Sequence, residues 1–242
     1  MKTINPYRLL LIWGIIVSAQ TATAQTTIFN IPTTDVVAKG RRYFEFDLSA
    51  QIPKPDLRNR LYIYNFRFVA GFGPGLEAGA NIPSLYTSPT TSVFFEPNIK
   101  WRFLDNDKKG LAAAGGGILF KPFNQRGGGT TFGLLYAEAS KKLKTSIYGP
   151  RFHLGPYGIA HAGERWVGPK AGVIAGYEQP VRSKFSIVAD WFSGKNTFGY
   201  FTPGVSFTLP GNGVFNAGYS LGNDSYHGNN NRLLVFFYGI TF

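Results

Sequence analysis

The feature that most constrains this chain is a period-two alternation of apolar and polar residues, which recurs along nearly the whole sequence. In the run at 95–103, one face carries Phe95, Pro97, Ile99, Trp101 and Phe103, and the other carries Glu96, Asn98, Lys100 and Arg102. Successive residues of a β-strand point to opposite sides, so each run predicts a strand between an apolar and a polar environment. After residue 24, no stretch of the sequence approaches the roughly 18 consecutive apolar residues that a transmembrane helix requires.

The connections between the runs point to a membrane barrel. We place 12 runs, near residues 41–50, 61–70, 75–82, 93–103, 111–120, 131–140, 147–160, 171–178, 185–192, 198–209, 214–222 and 233–242. Tight turns alternate with longer polar segments, which lie at 51–60, 83–92, 121–130, 161–170 and 223–232. Such alternation is typical of outer-membrane barrels, with short periplasmic turns and long extracellular loops. The sequence therefore predicts an all-β fold, an up-and-down antiparallel transmembrane β-barrel over residues 41–242.

Two details of this barrel are less sharply defined. The predicted strand number is 12, but 10 or 14 remain open because the two faces of 111–120 and 131–140 cannot be told apart. Pro97 and Pro203 lie inside predicted strands. Proline removes a hydrogen bond from the ladder, so we expect a bulge at each.

Residues 1–24 have the three regions of a secretory signal peptide. Two basic residues precede a nine-residue apolar run, and Ala22 and Ala24 then supply the small residues of an A-x-A cleavage site. The apolar run is far shorter than the roughly 20 residues that span a bilayer, which argues against a membrane anchor. We expect cleavage after Ala24, export through the secretory pathway, and a periplasmic N-terminal segment at 25–40.

Composition narrows the functional classes. The chain has no cysteine, which excludes a disulfide scaffold, a thiolate metal site and a cysteine nucleophile. The formal net charge is +12, and it becomes +10 once Lys2 and Arg8 leave with the signal. In an exported barrel, this positive charge does not indicate binding to nucleic acid. Basic outer loops suit outer-membrane lipid and the phosphates of lipopolysaccharide, although a plainly solvated surface fits equally well.

Candidates for catalysis are few. Asp224, Ser225 and His227 lie together in a predicted outer loop, and lipid-modifying barrel enzymes use such residue types at their rim. Residues so close in a loop need not meet in space, so we expect no enzyme activity. Motifs for a metal or a phosphate-binding loop are missing, and we therefore predict no metal and no cofactor.

The polar faces of the predicted strands supply the candidate functional residues, which we expect to line the lumen. They are Glu45, Asp47, Asn65, Arg67, Glu77, Asn81, Glu96, Asn98, Lys100, Arg102, Arg151, His153, Glu178 and Asp190. Such residues form either a cross-strand ion network that closes the barrel or the wall of a hydrated constriction. Side chains fill barrels of about eight strands and leave space in wider ones. We therefore favour a narrow wet pore with a weak preference for cations.

The end of the chain resembles an assembly signal. Tyr238, Ile240 and the terminal Phe242 share one face of the last predicted strand. This arrangement resembles the β-signal by which the barrel-assembly machinery recognises Gram-negative barrels. The resemblance implies that this machinery is a partner of the chain.

Part of the chain also resembles a known family of outer-membrane proteins. The stretches at 75–83, 97–105 and 115–122 are similar to the family named for the meta-pathway of phenol degradation. The resemblance covers about residues 60–160. It implies a barrel, and a role in the transport of aromatic compounds.

Together these observations predict a channel in the outer membrane of a Gram-negative cell. It would serve passive or facilitated passage of small solutes, aromatic or hydrophobic ones included. Two alternatives stay open: a non-transporting barrel with a structural or surface-interaction role, and a lipid-modifying enzyme. The sequence leaves open the substrate, the state of the lumen and the number of subunits.

Overall fold

The computed structural model describes residues 26–52, 60–123, 130–143, 148–163, 166–224 and 231–242. Within them the chain forms the strands β1 (Arg42–Gln51), β2 (Leu61–Gly73), β3 (Leu76–Thr87), β4 (Thr90–Asn106), β5 (Leu111–Pro122), β6 (Phe132–Lys142), β7 (Arg151–Ala160), β8 (Ala171–Arg182), β9 (Phe185–Phe192), β10 (Tyr200–Leu209), β11 (Gly213–Gly222) and β12 (Arg232–Thr241). Among the described residues, no helix is long and apolar enough to cross a membrane.

The strands close into a single barrel. Each strand is antiparallel to the next, and β1 completes the circle by pairing with β12. The predicted up-and-down antiparallel barrel is therefore confirmed, as is the strand number of 12. Gly239 on β12 lies against the ring of Tyr43, where any side chain would clash with the ring. This glycine lets the first and last strands meet closely.

The alternation in the sequence produces two different surfaces. Phe66 is 50% exposed and its neighbour Arg67 is 9% exposed, while Trp101 is 56% exposed and its neighbour Lys100 is 3% exposed. Outward positions thus carry large apolar side chains, whereas inward positions carry buried side chains, many of which are polar. A continuous apolar outer surface is unfavourable in water and matches the hydrocarbon core of a bilayer.

The two ends of the barrel differ in their connections. At one end, tight turns join β2 to β3, β4 to β5, β8 to β9 and β10 to β11. The terminal Phe242 lies at this end too, because it exchanges two backbone hydrogen bonds with Arg42. Gly75, in the turn after β2, has a φ of +74° and lies against the carbonyl oxygen of Arg102, so no side chain fits there. This turn end corresponds to the predicted periplasmic side.

One predicted loop is a strand hairpin instead. Residues 83–92 were expected to form a long outer loop, but β3 runs to Thr87 and β4 begins at Thr90. Thr87 pairs with Leu61 of β2 on one side and with Thr90 on the other. This region contains Tyr86 and three threonines, residue types that favour strands, and the pairing on both sides extends the ladder to the tip.

The predicted bulges at Pro97 and Pro203 are also wrong. The ladder skips positions beside each proline and then resumes in the same register. Proline costs a hydrogen bond there without adding a residue to the strand. The register shifts in the described strands lie elsewhere, between Gly71 and Gly73, between Arg102 and Leu104, and between Pro180 and Arg182.

Candidate functional site

The interior of the barrel is occupied by the start of the described chain, residues 26–40, which we call the N-terminal segment. Thr26, Ile28 and Ile31 are at most 1% exposed. The Ile28 N–H donates to the Ile31 carbonyl (3.1 Å) and the Thr33 N–H donates to the Thr26 carbonyl (3.0 Å), which folds this part into a tight hairpin. The hairpin contacts strands on opposite sides of the barrel, so it lies within the lumen.

This position differs from the one expected from the sequence. Residues 25–40 were expected below the barrel in the periplasm, whereas the described residues from Thr26 to Val37 are largely buried inside it. The physical reason is volume, since a barrel of 12 strands is wider than its own side chains can fill. Ile28, Phe29 and Ile31 supply apolar side chains that pack with inward residues of the wall.

Every residue that we proposed to line the lumen lies at an inward-facing position of its strand. Arg102 stands apart, because it pairs with Asp105 (2.8 Å) near the turn end. The other members gather into four groups, each of which contacts the N-terminal segment at one or more residues.

The first group is centred on Asp190 of β9, which is 1% exposed. Its Oδ2 accepts hydrogen bonds from three successive backbone N–H groups, those of Phe29 (2.9 Å), Asn30 (2.5 Å) and Ile31 (3.0 Å). The side chain of Asn30 also donates to Asp190 Oδ1 (3.2 Å) and to Thr202 Oγ1 (2.7 Å). Consecutive N–H groups that converge on one point form an anion-binding concavity, and Asp190 is the anion here.

The second group joins Lys100 of β4 to Glu77 of β3. Their charged atoms lie 3.0 Å apart, and both side chains are almost fully buried. Lys100 Nζ also donates to the carbonyls of Thr26 (3.0 Å) and Thr33 (3.1 Å), while Glu77 Oε2 accepts from the Val37 N–H (2.7 Å). A buried ion pair is tolerated where its remaining hydrogen-bonding capacity is satisfied, and the segment supplies those partners.

The third group surrounds Arg151 of β7. Its guanidinium donates to both carboxylate oxygens of Asp35 (2.6 and 3.0 Å) and to Thr34 Oγ1 (2.6 Å). Burial alone would raise the pKa of Asp35, but the charge and hydrogen bonds of Arg151 outweigh burial and hold that pKa below its usual value. The segment therefore presents a carboxylate to the wall, and the wall presents an arginine to it.

His153 lies beside this third group. One of its ring nitrogens faces Glu138 (2.5 Å) and the other faces Glu178 (2.6 Å). Glu178 also lies 3.8 Å from Arg151, so the histidine and the arginine share this carboxylate. Glu138 was not among the residues expected to line the lumen, because the two faces of 131–140 could not be told apart.

The fourth group lies on β1 to β4. Asn65 donates to Asp47 (2.7 Å) and Asn81 donates to Glu96 (3.1 Å), which places a carboxylate–amide pair on each of two neighbouring hairpins. Asn98 in turn donates to the side-chain oxygen of Asn81 (3.3 Å). These pairs give the wall a polar surface toward the outer end.

Arg67 links this fourth group to the N-terminal segment. It lies 3.5 Å from Glu45 and donates to the side chain of Thr27 (2.8 Å). Asp47 Oδ1, Asn65 Oδ1 and Arg67 Nε are buried without a hydrogen-bond partner. This part of the wall therefore has hydrogen-bonding capacity that the segment does not use.

Glycines in the wall form recesses for the apolar side chains of the segment. A side chain at Gly176 of β8 would come within 2.8 Å of the tips of Ile28 and Ile31. A side chain at Gly204 or Gly218 would come within 2.5 or 2.7 Å of the ring of Phe29. This ring also packs edge-on against Phe237, at a centroid distance of 5.6 Å. Nothing in the sequence pattern indicated which side chains these glycines receive.

The outer end of the lumen is partly closed by aromatic residues. Phe120 stacks on Phe132 (4.6 Å), Trp166 meets Phe132 (5.4 Å), and Phe198 meets both Phe120 (5.2 Å) and Phe192 (5.5 Å). Trp166 and Phe198 belong to connections rather than strands, so these connections fold over the lumen beside β5 to β9. Apolar residues on both faces explain why the runs at 111–120 and 131–140 could not be oriented.

The remaining candidates lie elsewhere. Asp224 is buried at the outer end, while Ser225 and His227 lie outside the described residues, as do Ala22 and Ala24. Tyr238 and Phe242 are 44% and 54% exposed on the outward face. In the described part of the chain, no group of three or more His, Asp or Glu residues could hold a metal ion.

Comparison with solved structures identifies the class of barrel. A KdgM porin in complex with disordered oligogalacturonate aligns with a TM-score of 0.52 and 9% identity, over 84% of this chain and 98% of that chain. A second KdgM porin structure aligns with a TM-score of 0.52 and 10% identity, over 83% and 98%. The chain therefore shares the fold of these two structures, a closed antiparallel barrel of 12 strands in this chain.

Comparisons of sequence add no closer relationship. No family model matches the chain, and no curated protein matches it. The resemblance to the meta-pathway family therefore stays a prediction. At such low identity the KdgM structures support the fold and nothing finer.

Proposed function

We propose that this protein is an outer-membrane channel for small solutes whose lumen is closed, in the described state, by its own N-terminal segment. The porin-type fold and the apolar outer surface support this location. The chain would be exported with its signal cleaved after Ala24 and inserted by the barrel-assembly machinery, which reads Tyr238, Ile240 and Phe242. Outer-membrane lipid and lipopolysaccharide would then surround it.

One observation carries the proposal: three charged groups of the wall take hydrogen-bond partners from the N-terminal segment. Asp190, Lys100 and Arg151 bind the segment rather than the opposite wall. Replacing buried ion pairs with apolar residues is often neutral or stabilising, so a permanently filled core has no need of them. A wall that becomes hydrated when the segment withdraws does need polar groups.

The attachment of the segment suits such a movement. Its last residues lead into β1 at the turn end, where the Gly40 N–H donates to the Gly71 carbonyl (3.0 Å) and the Gly71 N–H donates to the Arg41 carbonyl (3.1 Å). Gly40 has a φ of +77°, which a glycine adopts without strain. The hairpin would therefore withdraw toward the periplasm while its base stays on the barrel.

The charged residues of the lumen wall limit the class of solute that the channel would favour. The inward cations Arg67, Lys100 and Arg151 each have a carboxylate partner on the wall itself, which is Glu45, Glu77 and Glu178 respectively. Such a wall does not favour a polyanion such as the oligogalacturonate of the KdgM complex. Aromatic or hydrophobic solutes, which the sequence led us to expect, would have to pass the aromatic residues at the outer end.

The test is single-channel conductance of the full mature chain in planar bilayers. Thr34 Oγ1 and Ser140 Oγ lie 2.7 Å apart, so Thr34→Cys with Ser140→Cys can form a disulfide that locks the segment to β6, in a chain with no other cysteine. Phe29→Ala with Asn30→Ala should weaken the docking instead. We expect conductance to rise in the weakened variant and to vanish in the oxidised locked variant, with recovery on reduction. Thr34→Cys alone is the control.

A non-transporting barrel is the second candidate. The burial of Ile28, Phe29 and Ile31 in one apolar cluster favours it, because a permanent core would pack in this way. In that case the weakened variant would lose stability and still conduct no ions. Absence of conductance in a folded, weakened variant would therefore reject the channel and support this candidate.

A further inference from the structure

The contacts of the N-terminal segment reveal what chemistry the lumen recognises. We propose that the lumen is a peptide-binding site, that the segment is its resident ligand, and that short peptides are the solutes it admits. This inference rests on the proposed channel function and adds to it the class of solute.

The wall recognises backbone, which every peptide carries. Seven backbone groups of the segment are held by four wall side chains, which are Glu77, Lys100, Asp190 and Asn216. The carboxylates accept from N–H groups, and the lysine and the asparagine donate to carbonyls. A hydrocarbon offers neither kind of group, and a polyanion would be repelled by the wall carboxylates, so a peptide backbone fits this wall best.

The recesses supply selectivity for side chains. Peptide-binding proteins commonly use backbone hydrogen bonds for affinity and pockets for selected side chains. Gly176 makes room for Ile28 and Ile31, and Gly204 with Gly218 makes room for the ring of Phe29. The preferred peptide therefore carries an aromatic residue with branched aliphatic residues on either side of it.

The wall also has hydrogen-bonding capacity that the segment leaves unused. Asp47 is 8% exposed, and its Oδ1 has no hydrogen-bond partner; the same holds for Arg67 Nε, which lies on the adjacent strand. A peptide with one more donor and one more acceptor than Thr27 offers could bind both atoms. The resident segment is therefore not the tightest ligand that this wall could hold.

A tethered ligand hides the site from free peptide. A short tether gives an effective concentration on the order of millimolar, so added peptide competes poorly with the intact segment. The experiment therefore uses the full mature chain with Phe29→Ala and Asn30→Ala, which weakens the tethered ligand and leaves the wall unchanged. Heat-modifiable migration on a gel checks that the barrel is folded. Asp35→Ala, which removes the partner of Arg151, is a second weakened variant in case the first fails to fold.

The probe is a fluorescent synthetic peptide with the sequence of residues 25–37, and its scrambled form is the control. We expect the weakened chain in detergent to bind this peptide at least about tenfold more tightly than the scrambled one, a difference of about 1.4 kcal/mol. Adding Asp190→Ala to the weakened chain should reduce the affinity by a further factor of about ten or more. In bilayers, the peptide should block the conductance of the weakened chain and the scrambled peptide should not.

The outcomes separate this inference from the channel itself. Conductance without selective peptide binding overturns the peptide site and leaves the channel standing. Selective binding without conductance supports the peptide site and rejects the channel. Equal affinity for the two peptides, or binding that Asp190→Ala does not weaken, overturns the inference.

Discussion

Replacing Asp190 by alanine removes the acceptor of three consecutive backbone hydrogen bonds from the N-terminal segment. Hydrogen bonds to a charged group contribute about 1.5–3 kcal/mol each, which sets an upper bound of about 5–9 kcal/mol for the three. Two effects reduce this figure: the buried carboxylate no longer loses its hydration, and water can enter the space and accept from the freed N–H groups. We therefore expect docking of the segment to weaken by about 3 kcal/mol, or roughly 150-fold in the docking equilibrium.

Hydrogen exchange measured by mass spectrometry on the mature protein in detergent reports this equilibrium directly. Exchange at residues 28–31 should accelerate strongly, while exchange in the strand β5, far from Asp190 in the barrel order, should stay unchanged. Asp190→Asn keeps an acceptor without the charge and should give an intermediate rate. Asp105→Ala, which breaks a partly exposed ion pair at the turn end, is the matched control. Equal protection of the segment in Asp190→Ala and in the wild type would refute our account of how it is held.

Three further predictions concern assembly, orientation and pH. Deletion of Phe242 should prevent normal insertion, and a heat-modifiable barrel in the outer membrane after this deletion would contradict the assembly signal. Phe66→Arg, at a side chain 50% exposed on the outer face, should cost about 2–4 kcal/mol in a membrane folding titration, and Asn65→Arg, on the inner face, should cost clearly less. Asp35 has a lowered pKa, so its ion pair with Arg151 should stabilise docking fully above pH 3.8 and lose this effect as the pH falls further. Exchange of the segment from pH 7 to pH 3 tests this, and Asp35→Asn should abolish the acid-dependent part.

The sequence predicted the barrel well because the signal for it is local. Successive residues of a strand in a barrel wall face the outside and the lumen in turn. Neighbours such as Phe66 and Arg67 therefore show the direction of each face, even when the residues that they contact are unknown. Strand number and closure follow from counting such runs. The two uncertain runs were uncertain for a physical reason, since inward residues such as Phe120 and Leu134 are apolar and belong to the buried cluster.

The sequence could not reveal the internal position of the N-terminal segment. Its residues follow no period, and their partners lie far away in the chain: Phe29 and Asp190 are separated by 161 positions. The one indication of burial in the sequence was the presence of three large apolar residues, Ile28, Phe29 and Ile31. A periplasmic linker has no need of such residues. In the wall, the corresponding indication was the presence of inward glycines such as Gly176, which leave space for these side chains.

The segment also changes what the charges of the wall predict about ion selectivity. While it is docked, its own Asp35 pairs with Arg151, and three of its backbone N–H groups donate to Asp190. Withdrawal removes both, and the exposed wall then carries more acids than bases, the acids being Glu45, Asp47, Glu77, Glu96, Glu138, Glu178 and Asp190. We therefore expect cation preference in the weakened Phe29→Ala, Asn30→Ala channel, measured as the reversal potential in a potassium chloride gradient. Glu96→Gln keeps the shape of the side chain and its contact with Asn81, and it should shift that potential toward anions, whereas Asp105→Asn at the turn end should not. An anion-selective pore, or a potential that Glu96→Gln leaves unchanged, would mean that the conducting path does not follow this wall.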